Sequence, residues 1–247
     1  VPIASRPRAC WPGLVASVQT RRPTKEKGSG MSNDIDLADA YALQTPDDNR
    51  DLYSRWANTY ESGFITDNGY VYHLGVAQVF LGRSTYNDGP ILDVGCGTGL
   101  VGEALRTDSS CPGPLDGLDI SPEMLKKALE KRTVEGESVY SELHVGDLTA
   151  ILELADEAYG GITSCGTFTH GHVGPGALDE LYRIARPGAL FAIGVNPDHY
   201  VTHGFADRFA DDAVAGTITE PAVHLVPTYE SGPNVGVLSP VIVFRRQ

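Results

Sequence analysis

Three alternating glycines and a set of spaced carboxylates carry most of the chemistry this chain could do. Gly95, Gly97 and Gly99 fall within the stretch ILDVGCGTGLVG, residues 91–102. They stand behind an apolar, strand-like run that holds Asp93 and ahead of the helical pattern LVGEAL. A strand that ends in glycines and opens a helix lets the backbone approach a ligand closely, because no Cβ is in the way. The free N–H groups of the helix start then face that ligand. The dinucleotide fingerprint G-x-G-x-x-G needs a small third residue, and that position is Leu100 here. The phosphate-cradling G-x-x-x-x-G-K-[ST] is absent. What stands is D-x-G-x-G-x-G, in which Asp93 is awkward for a pyrophosphate and suits a ligand carrying an ammonium group. The competing reading is a glycine-rich turn with no ligand.

Two further carboxylates stand where such a site needs them. Asp119 lies 22 residues beyond Gly97, at the end of the strand-like run LDGLDI. A doubly wound fold places there the carboxylate that accepts both ribose hydroxyls, because two oxygen edges can take two O–H donors at once. Ser121-Pro122-Glu123 follows as cap, first helical residue and dipole-matched acid. Asp147 closes a third strand-like run, LHVGDL, either as a ligand contact or as the cap of a short helix.

The elements that must hold these residues read in order. A helix over residues 50–60, capped within Asp47-Asp48-Asn49, puts Leu52, Tyr53, Trp56, Ala57 and Tyr60 on one face. A second helix spans residues 71–81. Strands follow at 91–94, 115–120, 143–148, 159–166 and 189–195. A helix from Leu178 to Ala185 is stopped by Arg186-Pro187-Gly188. Residues 196–204, with His199, Tyr200 and His203, read as a loop, 205–213 as a helix, and 220–230 with 237–246 as paired strands.

Composition bounds the rest. The 247 residues carry a formal net charge of −13, although residues 1–30 hold six basic residues against Glu26 alone. So acidic a body is repelled by a phosphate backbone, which argues against nucleic acid as partner. No apolar run reaches the ~20 residues of a membrane span. Cys10, Cys96, Cys111 and Cys165 show neither C-x-x-C pairing nor histidines at ligand spacing, so no zinc site or disulfide framework is expected and a reduced, cytoplasmic setting is the simplest reading. Residues 1–30 read as a disordered extension, with a targeting peptide as the alternative, and 31–247 as one domain: a helical lid over 31–85 and a core over 86–247.

DVGCGTG resembles the first motif of the class I S-adenosylmethionine (SAM)-dependent methyltransferases, and DISPEML resembles their second. LYRIARPGALFAIGVN is similar to their helix–R/K-P-G-G–strand hallmark, although Gly160 stands where an aspartate is common. LYSRWANTYE resembles the segment that folds over the cofactor as a lid, and together these motifs look most like the Williams–Beuren-type methyltransferase-like group and its bacterial relatives. The resemblance runs from about Leu52 to Phe244 and implies a doubly wound, seven-stranded, mostly parallel α/β sheet with a C-terminal antiparallel hairpin. It implies SAM as cofactor and S-adenosylhomocysteine (SAH) as product. The cofactor contacts it implies are Tyr53, Trp56 and Tyr60 from the lid, then Asp93, Gly95, Cys96, Gly97 and Gly99 around the first motif. Asp119, Ile120 and Met124, Asp147 and Leu148 at the adenine, and Cys165 complete the set. For the three aromatic residues, an ordinary core-facing helix remains the competing reading.

The implied reaction is in-line transfer of a methyl group to a small-molecule acceptor, in which the protein positions both partners and excludes water. A base is needed only for an acceptor protonated at neutral pH. His170, in the loop 166–173 beyond the fourth strand, is the candidate, with His172, His199 and His203 as alternatives. A SAM-binding protein without transfer activity fits the same motifs. A nicotinamide oxidoreductase is disfavoured by Leu100.

Overall fold

The computed structural model describes residues 45–169 and 173–247. The helices are α1 (Pro46–Trp56), α2 (Tyr72–Leu81), α3 (Leu100–Arg106), α4 (Pro122–Glu130), α5 (Ala177–Ile184), α6 (Pro197–Thr202) and α7 (Phe205–Val214). A π-helical segment, Tyr60–Ile65, runs on through the turn Thr66–Asn68 between α1 and α2. The strands are β1 (Ile91–Val94), β2 (Leu115–Asp119), β3 (Leu143–Val145), β4 (Tyr159–Phe168), β5 (Ala185–Val195), β6 (Ala222–Pro227) and β7 (Leu238–Arg245). The segment expected to be a disordered extension, residues 1–30, lies outside the described residues, as do residues 31–44.

The seven strands form one sheet in the order β3-β2-β1-β4-β5-β7-β6. β1 to β5 pair in parallel, and β7 runs antiparallel to both β5 and β6. This is the mostly parallel sheet with a C-terminal antiparallel hairpin that the motifs led one to expect. β1 is buried on both faces, as a near-continuous apolar run in a parallel sheet must be. Ile91 packs with Val76, Phe80, Val101, Leu105 and Leu125, under α2, α3 and α4. Leu92 and Val94 face the opposite cluster, with Leu178, Leu181, Phe205 and Phe209 from α5 and α7. Strand order reverses between β1 and β4, and the crevice beyond their carboxyl ends is where open α/β sheets bind ligands.

Four local expectations change. α1 is capped by Thr45, whose hydroxyl accepts from Asp48 N–H at 3.1 Å while the Asp48 carboxylate accepts from Thr45 N–H at 3.0 Å. Asp48 is thus the third helical residue of a capping box and not the cap. The helix stops at Trp56 and resumes as the π-helical segment, so Tyr60 sits on a wider turn than a continuous α-helix would give. Arg186-Pro187-Gly188 lies inside β5: the register passes from Tyr159↔Ala185 to Gly161↔Leu190, which makes these residues a bulge and not a stop between helix and strand. Gly160, where an aspartate is common, leaves room for the Arg186 guanidinium, which donates to the carbonyls of Asn87 and Gly89. Finally, residues 196–204 are not a simple loop. The Asn196 side chain accepts from the N–H groups of Asp198 and His199 and so caps α6.

Candidate functional site

A cleft of about 1010 Å³, open to solvent, occupies the crevice at the carboxyl ends of β1, β2 and β4. The loop after β1 forms its floor through Gly95, Cys96, Gly97 and Thr98. Gly97 has φ 54°, and a Cβ there would meet no atom within 4 Å, so the residue faces open cleft. Gly95, at φ 65°, is crowded instead, since a Cβ would overlap the Thr167 hydroxyl. Gly99 lines no part of the cleft; it faces inward, against Tyr140, Lys131 and Ala128.

Asp119 anchors this floor to the next strand. Its Oδ2 accepts from Gly97 N–H and its Oδ1 from Ser121 N–H, both at 2.8 Å. Asp119 lines the cleft, and its two oxygens offer more acceptor sites than these two hydrogen bonds fill. Burial pushes the carboxyl above its ordinary value, against hydrogen bonds from the backbone at Ser121, Gly97 and Ile120. Ile120 and Met124 continue the wall, and Gly146, Asp147, Leu148 and Thr149 close the far end. Asp147 Oδ1 accepts from both the N–H and the hydroxyl of Thr149, at 2.8 and 2.7 Å, which is the local turn expected of a loop aspartate. Among the described residues its Oδ2 has no hydrogen-bond partner.

The roof comes from α1 and the π-helical segment. Tyr53 and Tyr60 line the cleft with Asn49. Trp56 does not. It is buried with Leu52, Ala57 and Met124, its ring 5.1 Å from Tyr60 and 5.4 Å from Phe64, and it lines a second chamber. Lys131 Nζ joins Glu61 of the π-helical segment, at 3.0 Å, to Glu103 of α3, at 2.9 Å, and so fastens lid to core.

Asp93 also stays out of the cleft. Fully buried beneath the glycine loop, it accepts from the Tyr140 hydroxyl at 2.8 Å and from the Thr163 hydroxyl at 3.3 Å. It therefore braces the floor and does not offer an open face to an ammonium group. Burial pushes its carboxyl up to about 7, with Asp119 adding in the same direction and the hydrogen bonds opposing. An acid whose pKa is raised by folding keeps its proton where the unfolded chain has released it. Its contribution to stability is full below about pH 4 and is lost as pH rises to about 7. Asp93→Asn keeps the shape and removes the titration, so its melting temperature should fall less between pH 5 and 8 than that of the parent chain. Parallel declines of both proteins in a calorimetric pH series would refute the buried, protonated carboxyl.

Several cleft residues were not singled out in the sequence. His73 sits on α2 with its ring 6.0 Å from that of Tyr70, and its Nδ1 is buried with no protein partner. Burial lowers its pKa to about 4, so the imidazole is neutral at physiological pH. Thr98 is 2% exposed, and its hydroxyl is likewise buried without a partner. Buried polar atoms are nearly always satisfied, and both of these exceptions belong to residues that line the cleft. Tyr70 and Thr167 complete this end, where Tyr70 Oη lies 3.5 Å from Cys165 Sγ. Burial pushes the Cys165 thiol up to about 12, which leaves it un-ionised.

Beyond Tyr53, Tyr60, Tyr70 and Gly166, which it shares with the cleft, lies the second chamber, about 640 Å³ and also open to solvent. His170 and His172 lie outside the described residues. His199 is 3% exposed, with Nε2 3.1 Å from Val173 O, and His203 packs on it with ring centroids 3.9 Å apart; neither lines the cleft or the chamber. Among the described residues no cluster of His, Cys, Asp and Glu could hold a metal ion, and no helix is long and apolar enough to cross a membrane.

Residues 92–193 match the model of a methyltransferase domain family. No curated protein matches the chain. Among solved structures, magnesium protoporphyrin IX methyltransferase (ChlM) from Synechocystis PCC 6803, with bound SAM, is similar with a TM-score of 0.58 at 17% identity, over 83% of this chain and 99% of that one. The [4+2]-cyclase SpnF is similar with a TM-score of 0.59 at 14% identity, over 83% and 97%. A SAM-dependent methyltransferase from Aquifex aeolicus gives 0.52 at 20% identity, over 79% and 98%. At these identities the likeness shows the fold, that of the class I methyltransferases.

Proposed function

We propose that this chain binds SAM in the cleft and transfers its methyl group to a small-molecule acceptor. The observation that carries the reading is the floor of the cleft: Gly97 open to the ligand side, and the Asp119 carboxylate lining the cleft while tied to Gly97 N–H. When bound, SAM supplies a methyl group on a positively charged sulfur and departs as SAH. Asp119 would accept the two ribose hydroxyls, and Asp147 with Leu148 would meet the adenine edge. His73 Nδ1 and the Thr98 hydroxyl would satisfy the amino-acid tail, the neutral imidazole accepting from its ammonium group. Tyr53 and Tyr60 would cover the bound molecule and exclude water. We assign His170 as the base for an acceptor that carries a proton at neutral pH.

Calorimetric titration with SAM and SAH tests the reading, and micromolar binding of both is the expected result. Binding of neither by folded protein would overturn it. The likeness to the [4+2]-cyclase SpnF supports a second reading, a SAM-binding protein that does not transfer methyl groups. SAM binding without SAH formation in the presence of any metabolite fraction would favour that alternative.

A further inference from the structure

The chamber beside the cleft has a composition that selects its occupant. Eight aromatic side chains line it, and its described lining includes no Arg, Lys, His, Asp or Glu, although the whole chain carries a net charge of −13. The rings meet at angles: Trp56 edge-on to Tyr60 at 5.1 Å, and Tyr70 edge-on to Tyr229 at 5.7 Å. Such walls accept a flat ring by edge or face.

Several of the chamber's polar groups are already engaged. The Tyr72 hydroxyl donates to Pro240 O at 2.6 Å, and Thr228 and Ser239 share a hydrogen bond at 2.7 Å. Asn196 is different. Its Oδ1 is committed to capping α6, which leaves the Nδ2 amide as a donor on the chamber wall. Among the described lining residues an anion placed here would find no cation, with an acidic protein around it, and a cation would find no carboxylate. Burying either without a partner is costly.

We propose that this chamber takes the methyl acceptor, and that the acceptor is an uncharged molecule built on an aromatic ring, with a hydrogen-bond-accepting group turned toward Asn196. The inference rests on the cofactor reading of the adjoining cleft. The shared residues Tyr60, Tyr70 and Gly166 put the acceptor's reactive atom next to that cleft.

Three probes with one ring system test the charge selection: 2-naphthol, 2-naphthoate and 2-naphthyltrimethylammonium. Equilibrium dialysis of each against the full chain saturated with SAH should show 2-naphthol bound at least tenfold more tightly than either ion. Thr169→Trp, which fills the chamber at its edge, and Tyr229→Ala, which removes a wall, should each weaken 2-naphthol at least tenfold while SAH still binds. Equal or tighter binding of either ion overturns the proposal, and so does 2-naphthol affinity unchanged in both variants. In those cases the cofactor reading stands. Failure of SAH to bind the folded parent chain overturns the cofactor reading itself, and this inference falls with it.

Discussion

Asp119→Ala should weaken SAM binding by one to two orders of magnitude, on the order of 1–3 kcal/mol, as expected when charge-assisted hydrogen bonds are removed. The carboxylate has two tasks. It holds the Gly97 and Ser121 N–H groups at 2.8 Å, which fixes the loop floor against the start of α4, and it presents a carboxylate to the ligand side of the cleft. Alanine removes both at once. Because burial raises the carboxyl's pKa, affinity in the parent chain should also decline on acidification sooner than an ordinary aspartate would allow. Calorimetric titration of parent and variant measures the effect, and an unchanged dissociation constant would remove Asp119 from the site.

Alanine at two neighbouring glycines should separate stability from binding. Both positions have positive φ, where a Cβ costs about 1–2 kcal/mol. At Gly95 the added methyl also overlaps the Thr167 hydroxyl, which bonds Val94 O at 3.0 Å. Gly95→Ala must therefore shift the start of the loop, lowering the melting temperature and the affinity together. At Gly97 the methyl meets no protein atom and projects into the cleft. Gly97→Ala should cost only the conformational penalty in stability, yet lose SAM affinity by at least tenfold. Melting curves and titrations run side by side decide the matter, and a Gly97→Ala protein that binds SAM like the parent would show that the ligand lies elsewhere.

The sheet and the cleft floor were legible because local sequence encodes them. Alternating glycines dictate a backbone that only glycine adopts readily, and the 22-residue interval to Asp119 takes in one helix, the loop after it and one strand. Where the reading fell short, the cause was contact across the fold. Asp93 looked like a ligand group because Tyr140, 47 residues away, could not be seen to take its carboxylate. Gly99 looked like part of the ligand surface, but Tyr140 and α4 press on it from inside. His73 and Thr98 were hidden for a different reason. A single histidine in the apolar stretch 71–81 and a threonine within a glycine motif carry no pattern, and only the cleft reveals that their polar atoms lack partners. The signal for α6 was present in Asn196-Pro197-Asp198, a cap, a proline at the first helical position and an acid in the first turn. Six residues are too few to show a periodic face.

Trp56, Tyr60, Phe64, Tyr70 and Tyr229 form an unbroken chain of rings, each 5.1–5.7 Å from the next; all five line the chamber, and Tyr60 and Tyr70 face the cleft as well. A partition shared by two compartments cannot be ordered from one side alone. Whatever factor the nucleoside ligand contributes to the grip on its neighbour, the neighbour must return to the nucleoside, because the two occupancies are states of one thermodynamic cycle. Tyr60 and Tyr70, the rings common to both compartments, are thus where filling one side would be felt on the other.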